Sequence, residues 1–310
     1  MKRKMLNVPK GGYDGMKGFT IVEFLVAGLL SIIVLIAVVS SYFTSRKLND
    51  AANERLAIQQ DLRNAATLIV RDARMAGSFG CFNMSEHTEK DVVFDVAQKN
   101  RPFSLKGSSA NKLIPIAESL NIGYQGFAQV RPALIFQYGI DDVNASAETT
   151  VVSSCGVISK PGKQIPTLED AKKELKIQNS GKEQNGNIAR QRHVVNAYAV
   201  GRIADEEGLF RFQLDDKGKW GNPQLLAKKI KRMKVLYIYV SGCPEDEDAG
   251  KEEQFKYTDK FDSSVTPAGV EVLLDSGLNA KIAASSDNSI YAYRINATIR
   301  GGNVCANRTL

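Results

Sequence analysis

A six-residue sequence, Gly18-Phe19-Thr20-Ile21-Val22-Glu23, precedes a run of twenty uncharged residues, 24–43. A helix needs about 20 residues to cross the hydrocarbon core of a bilayer. The run is also rich in Leu, Ile and Val, the side chains that a lipid-facing helix requires. We therefore predict that residues 19–43 form a transmembrane helix.

Basic residues dominate the segment ahead of this helix. It contains five bases and one acid: Lys2, Arg3, Lys4, Lys10, Lys17 and Asp14. Because positive charge keeps a flanking segment in the cytoplasm, the chain after Phe43 is predicted to be exported. Gly18 lies before the apolar run, whereas a secretory signal peptide has its small-residue cleavage site after that run. Cleavage at Gly18 would remove residues 1–18 as a leader and keep the helix.

Glu23 is an acid only four residues after Phe19, where the apolar run begins. A carboxylate in lipid is costly and is rare without a partner. One explanation is that Glu23 lies at headgroup depth in the first helical turn, where the helix dipole favours an acid. The other is that Glu23 forms a buried ion pair, since two opposite charges taken out of water are tolerated together.

These residues together resemble the class III signal of type IV prepilins and of type II secretion pseudopilins. That signal is a basic leader ending in Gly, then Phe-Thr-x-x-Glu, then a hydrophobic helix, as at residues 1–43 here. The resemblance implies that a prepilin peptidase cuts between Gly18 and Phe19 and methylates the new Phe19 amine. It also implies that Glu23 pairs with the Phe19 amine of a neighbouring subunit during assembly.

The helical period continues beyond the apolar run. Small and apolar residues recur at steps of three and four, among them Leu48, Ala52, Leu56, Leu62, Ala66, Ile69 and Ala73. Charged residues, including Asp61, Arg71 and Asp72, are assigned to the intervening positions. No Pro interrupts the pattern, and Gly77 provides a stop. Residues 44–77 are therefore predicted to continue the helix as an amphipathic segment.

The end of this helix narrows the resemblance. Residues 74–81, Arg-Met-Ala-Gly-Ser-Phe-Gly-Cys, are similar to a phrase of the PilW group of minor pilins, which are related to J-type pseudopilins. The resemblance implies a subunit of a type IV pilus that primes filament assembly or lies at its tip.

The implied partners are other major and minor pilins, the prepilin peptidase, the inner-membrane assembly platform and lipid. The implied location is the bacterial inner membrane, with the head in the periplasm, and then the pilus. Alternatives are a J-type pseudopilin of a type II secretion system and a tip adhesin.

Residues 78–310 are predicted to form a globular head. Strand-like runs occur at residues 133–138, 149–153, 193–200, 209–214, 234–240 and 289–300. The third and fourth runs are predicted to form a hairpin around a turn at residues 205–208. The fold class predicted is α+β, with a long N-terminal helix and a head built on an antiparallel β-sheet whose strand order is open.

Two polar segments interrupt the strand pattern. Residues 160–187 are predicted to be a surface insertion with one short helix, which Thr167 could cap with Asp170 three residues later. Residues 244–262 are predicted to be an acidic loop. The loop lacks the alternating ligands of an EF-hand, so no metal site is expected there.

The four cysteines, Cys81, Cys155, Cys243 and Cys305, are widely spaced and form no C-x-x-C pair. Two disulfides are expected in an oxidising compartment, and the sequence alone leaves three connectivities. Cys81–Cys155 and Cys243–Cys305 are favoured because cysteines close in sequence cost less loop entropy to join. Free buried thiols are the alternative.

Neither an enzyme nor a nucleic-acid-binding protein is expected. The two histidines, His87 and His193, are assigned no His, Cys or acidic neighbour at metal-ligand spacing, and the common nucleotide-binding and hydrolase motifs are absent. No cofactor is predicted. The net charge of +7 falls to about +3 without residues 1–18, too small for a nucleic-acid surface. The basic cluster at residues 228–234 is interpreted as a solvated strand face.

Overall fold

A computed structural model of the chain describes residues 18–93, 112–176, 187–241, 254–275 and 293–300. Its longest element is helix α1, Ile21–Met75, of 55 residues. The helix ends where the chain reaches Gly77, whose φ of +78° is in the left-handed region. Residues other than glycine are strained in that region, so Gly77 explains why the helix stops there.

The chain divides into two compact units, Met1–Ala57 and Ile58–Leu310. In the first unit, the apolar side chains of α1 are exposed, from Ile21 to Phe43. By length and composition, α1 is a helix that could cross a membrane. The second unit contains the remaining turns of α1 together with the strands.

Besides α1, the described residues contain one short helix, two 3-10 turns and fifteen strands. The helix is α2, Leu168–Glu174, and the 3-10 turns are Met84–Glu86 and Glu89–Asp91. The strands are β1 Ser78–Phe79, β2 Phe82–Asn83, β3 Val92–Val93, β4 Ile116–Ser119, β5 Phe127–Gln129, β6 Ala133–Asp141, β7 Thr150–Ser153, β8 Ile158–Ser159, β9 Ala189–Ile203, β10 Glu206–Gln213, β11 Gln224–Lys228, β12 Arg232–Ser241, β13 Gln254–Thr258, β14 Gly269–Asp275 and β15 Tyr293–Thr298.

The long strand β9 is the centre of a nine-stranded sheet. β10 and β6 both pair with Tyr198 of β9, so they lie on its opposite edges. β7 follows β10 along one edge, and β5 follows β6 along the other. The pairs that β9 makes are antiparallel, while β3 and β8 are parallel. β9 thereby brings three earlier strands, β5, β6 and β7, together with β10, the strand that follows it in sequence.

A second sheet has the order β13-β12-β14-β15 and is antiparallel throughout. The prediction of an α+β fold with antiparallel sheet is confirmed, but the expectation of one sheet is wrong. Both sheets pack on the last turns of α1: Ile69 lies in one core cluster with Phe136 of the first sheet and Val272 of the second. An alternating pattern shows which side chains face a core but does not show which strands are neighbours.

Two local predictions differ from the structure. The turn between β9 and β10 lies at residues 204–205, where Ala204 has a φ of +49°, and not at residues 205–208. Gly208 is a residue of strand β10 and pairs with Lys228 of β11. Only glycine fits there, because a Cβ would lie 2.2 Å from the carbonyl oxygen of Ala227. Strand β13 also lies within residues 244–262, which were predicted to be a loop; it pairs with β12.

The predicted short helix is present as α2. Thr167 is its N-cap, and the Thr167 hydroxyl accepts a hydrogen bond from the Asp170 backbone N–H at 3.1 Å. Ala171 of α2 is buried in a small core cluster with Val152 of β7, so this part of the predicted insertion packs against the first sheet. Residues 177–186 and 242–253 lie outside the described residues.

Candidate functional site

The predicted cleavage site lies just ahead of α1. Gly18 and Phe19 precede the first helical residue, Ile21, and both are exposed. The Phe19 side chain retains 89% of its accessible surface. Among the residues that the structure describes, none has an atom within 4 Å of the position that a Cβ on Gly18 would take. The bond between Gly18 and Phe19 is therefore in an open, non-helical segment.

Glu23 and Thr20 cap the start of α1 reciprocally. The Glu23 carboxylate accepts hydrogen bonds from the Thr20 backbone N–H at 3.0 Å and from the Thr20 hydroxyl at 3.1 Å. The Thr20 hydroxyl in turn accepts from the Glu23 backbone N–H at 3.3 Å. This is a capping box, which satisfies donors that a helix start otherwise leaves unpaired. The capping box gives Glu23 a role within its own chain that was not expected from the sequence. The backbone N–H that it binds belongs to Thr20, the residue next to Phe19.

A disulfide joins Cys81 to Cys155, whose Cα atoms are 4.6 Å apart and whose sequence separation is 74. It ties the segment after Gly80 to the segment after β7. This is one of the two pairs favoured from the sequence. Cys243 and Cys305 lie outside the described residues, so their pairing stays a prediction.

Removing this disulfide should destabilise the protein. We expect the double variant Cys81→Ser/Cys155→Ser to lose about 2–4 kcal/mol of unfolding free energy, because the unfolded chain is no longer restricted. Urea denaturation of the purified protein measures the loss. Cys243→Ser/Cys305→Ser makes the same two substitutions at the other predicted pair, and a similar loss there would support that second disulfide. An unchanged denaturation midpoint in the first variant would contradict a stabilising role for the Cys81–Cys155 bond.

The structure places Asp72 at the centre of a buried polar network. Its side chain has no exposed surface. The carboxylate accepts hydrogen bonds from the hydroxyl of Tyr198 at 2.6 Å, the side-chain amide of Asn196 at 2.8 Å and the hydroxyl of Tyr138 at 2.9 Å. These partners come from β9 and β6. One side chain of α1 is thus bound to two neighbouring strands of the first sheet.

Two arginines neutralise the Asp72 carboxylate. Arg71 donates from Nη2 to Asp72 Oδ1 at 3.1 Å, and Arg211 of β10 lies 3.6 Å from Oδ2. Burial, followed by the negative charge of Asp72, raises the pKa of Tyr138 to about 12 and raises the pKa of Tyr198 further. Both hydroxyls therefore keep their protons and remain donors. A buried charge needs both an opposite charge and hydrogen bonds, and Asp72 has both.

Asp72 was assigned to the polar positions of α1 from the sequence, and this assignment is wrong. Asp72 lies three residues after Ile69 and seven after Ala65, and both of those side chains are buried. Positions separated by three and seven residues lie on one helix face. That spacing was the signal that could have marked Asp72 as an acid on the buried face.

The two histidines have different surroundings. The ring of His193 is buried, with Nε2 3.2 Å from Gln137 Oε1, and burial lowers its pKa to about 3. His87 stacks on Phe82, and its Nδ1 lies 3.4 Å from Oδ2 of Asp91. Within the described ranges, no group of three or more His, Cys, Asp or Glu side chains could hold a metal ion.

A cavity of about 470 Å³ lies against His193 and Gln137. The side chains of these residues alternate along β9 and β6 with those of Tyr198 and Phe136, which pack toward α1, so the cavity is on the opposite face of the sheet. Trp220 forms part of its wall. The neutral His193 ring and the Gln137 amide are polar groups in a wall that also contains apolar side chains, among them Ile135 and Val195.

No model of a known protein family matches this chain, and no curated protein sequence matches it.

Proposed function

We propose that this protein is a minor pilin of a type IV pilus, of the PilW type, which primes filament assembly or lies at the filament tip. One observation carries the proposal: α1 begins two residues after Phe19 and presents an exposed apolar surface through Phe43. Its later turns then join the core of the second unit. A pilin requires such a helix, which serves first as a membrane anchor and then as part of an apolar filament core.

The proposal assigns a step in processing or assembly to each part of the segment between Gly18 and Phe43. The peptidase acts on the open segment at Gly18 and creates an amine on Phe19, which it methylates. The exposed side chains between Phe24 and Phe43 remain in lipid until neighbouring subunits cover them. Glu23 accepts the Phe19 amine of a neighbouring subunit, which places one subunit in register with the next.

The partners and location follow from the same proposal. The precursor lies in the bacterial inner membrane with its head in the periplasm, where an oxidising environment favours the Cys81–Cys155 disulfide. It meets the prepilin peptidase and the assembly platform there, and then other major and minor pilins. No catalytic role is assigned to the head. A J-type pseudopilin would use the same residues in a secretion machine, and the cavity beside Trp220 favours a binding subunit at the tip as the other alternative.

Processing at Gly18 tests the proposal. We expect Gly18→Leu to leave a membrane-bound precursor that retains residues 1–18, because the peptidase site requires a small residue. The unsubstituted protein should begin at Phe19 and carry about 14 Da of extra mass from methylation of the amine. Intact-mass measurement of both proteins reads these results directly.

Gly28→Leu is the matched control for this experiment. It makes the same substitution inside α1, where nothing lies within 4 Å of the position of a new Cβ, and it should be processed normally. A mature terminus at Phe19 in the Gly18→Leu protein, or a terminus elsewhere in the unsubstituted protein, would contradict the assignment.

A further inference from the structure

An open groove runs along the surface of α1 within the second unit and has a volume of about 620 Å³. We call it the arginine groove, because Arg63, Arg71 and Arg74 line it. Its apolar lining includes Val70 and Tyr293, which are half-buried and pack against the main core. The groove thus combines a firm apolar surface with three guanidinium groups.

The positive charge in this groove is mostly unbalanced. Arg71 contacts Asp72, which also serves the buried network. Within the part of the chain that the structure describes, no acid lies in ion-pair distance of Arg63 or Arg74. The positions three and four residues away from each arginine in sequence are occupied by Gln, Ala, Thr, Val, Arg, Gly and Ser. Arg71 and Arg74 repel each other at this spacing. An incoming carboxylate would relieve that repulsion.

The length of the groove indicates the kind of partner. Arg63 and Arg74 are eleven residues apart on one helix, which corresponds to three turns and about 16 Å of helix axis. One phosphate or one lipid headgroup reaches only part of that length. A second helix can extend along the whole groove. Its apolar side chains would pack on Val70 and Tyr293, and its acidic side chains would pair with the arginines. This is the helix-in-groove mode of recognition.

We propose that the arginine groove receives an acidic amphipathic helix of a neighbouring pilin subunit. The inference rests on the proposed function and adds the chemistry of the partner. The apolar lining supplies contact area. The arginines at the rim select the partner by charge, because complementary charges favour the right partner and like charges exclude the wrong one.

Photo-crosslinking from Thr67 tests this proposal in cells that assemble fibres. Thr67 is exposed and lies in the groove between Arg63 and Arg71. We expect p-benzoylphenylalanine at this position of the full-length protein to cross-link to an acidic helical segment of another pilin, identified by mass spectrometry. Arg63→Glu/Arg74→Glu should lower the yield about tenfold or more, since it places like charges together.

Two matched variants show whether charge in the groove is the cause. Arg63→Lys/Arg74→Lys keeps the charge and should retain most of the cross-link. Lys217→Glu/Lys219→Glu makes the same change in net charge on the hairpin between β10 and β11 and should leave the yield unchanged. Arg71 stays intact throughout because it contacts Asp72.

Several results would overturn the proposal. They are cross-links to phospholipid, to residues 276–292 of the same chain, to a neutral or basic segment, or to nothing, and a yield that Arg63→Glu/Arg74→Glu leaves unchanged. The protein's presence in sheared fibres separates two kinds of failure. If it is present there without the expected cross-link, this inference fails alone. If it is absent, the proposed function fails as well.

Discussion

Replacing Glu23 with Ala or with Gln should remove the protein from sheared fibres while leaving its cleavage and its level in the membrane unchanged. In the proposed filament, the Glu23 carboxylate pairs with the Phe19 amine of a neighbouring subunit in an apolar core. Both substitutions leave that ammonium group buried without its partner. Immunoblots of sheared fibres and of membranes measure the two pools, and intact mass shows cleavage at Gly18.

The magnitudes separate this role from the capping box that the structure shows. Breaking a buried ion pair costs about 3–5 kcal/mol, which reduces incorporation about a hundredfold or more. Losing an N-cap costs about 0.5–2 kcal/mol of helix stability. A membrane-spanning helix tolerates that loss, because its backbone has no better hydrogen-bond partner in lipid.

Two variants distinguish the roles. Glu23→Gln keeps a side chain that can complete a capping box but carries no charge, so it should be as deficient as Glu23→Ala. Thr20→Val removes the hydroxyl that contacts Glu23 but keeps the carboxylate, so it should incorporate normally. Normal incorporation of Glu23→Gln together with a deficient Thr20→Val would show that capping alone explains Glu23.

The long helix was predictable because its determinants are local. The apolar run, the absence of Pro and the stop at Gly77 are all read within a few residues, and α1 spans Ile21–Met75 as these features require. The cap at Thr167 was predictable for the same reason. Such features need no information about which distant segments meet.

The sheet arrangement was not predictable from the same sequence. β9 pairs with β10 next to it, but also with β6 and β7, which no short turn connects to it. Gly208 misled the turn assignment because it serves a close approach to Ala227. β13 was missed because its side chains, including Phe255 and Tyr257, are exposed at a sheet edge within a charged segment.

Asp72 shows how a charge on the buried face escapes a reading based on periodicity. Acids are rarely fully buried, so a charged residue is assigned to the solvated face unless its partners are known. Apart from the adjacent Arg71, the partners here lie 66 to 139 positions after Asp72 in sequence: Tyr138, Asn196, Tyr198 and Arg211. The capping box of Glu23, in contrast, needs only Thr20 and could have been recognised from the sequence.

Asp72→Ala should be the most destabilising single substitution in the second unit that we propose to test. It leaves two tyrosine hydroxyls, the Asn196 amide and the Arg211 guanidinium without their common acceptor. Breaking a buried charge pair costs about 3–5 kcal/mol, a large share of the 5–15 kcal/mol that holds a typical domain folded. For a unit of this size the loss corresponds to a decrease of roughly 6–10 °C in Tm. Thermal unfolding by circular dichroism measures it.

Two further variants identify the cause of that loss. Asp72→Asn keeps the size and shape of the side chain but removes the charge and one acceptor, so it should still lose about 2 kcal/mol or more. Asp61→Ala is the control, because it replaces another Asp of α1 within the second unit. Among the described residues, the Asp61 side chain forms no hydrogen bond or ion pair. Its effect should stay within about 0.5 kcal/mol.

The outcome for Asp72 also decides what the network contributes. If the unfolding free energy of Asp72→Ala lies within about 1 kcal/mol of that of the unsubstituted protein, the hydrogen bonds and ion pairs only offset the cost of burying the carboxylate. Some buried ion pairs behave in this way. If the large loss is found, Asp72 is what fixes the last turns of α1 on β6, β9 and β10. Because the exposed apolar part of α1 ends at Phe43, well before Asp72, the variant should still be inserted and cleaved at Gly18, and its defect should appear only in the folded second unit.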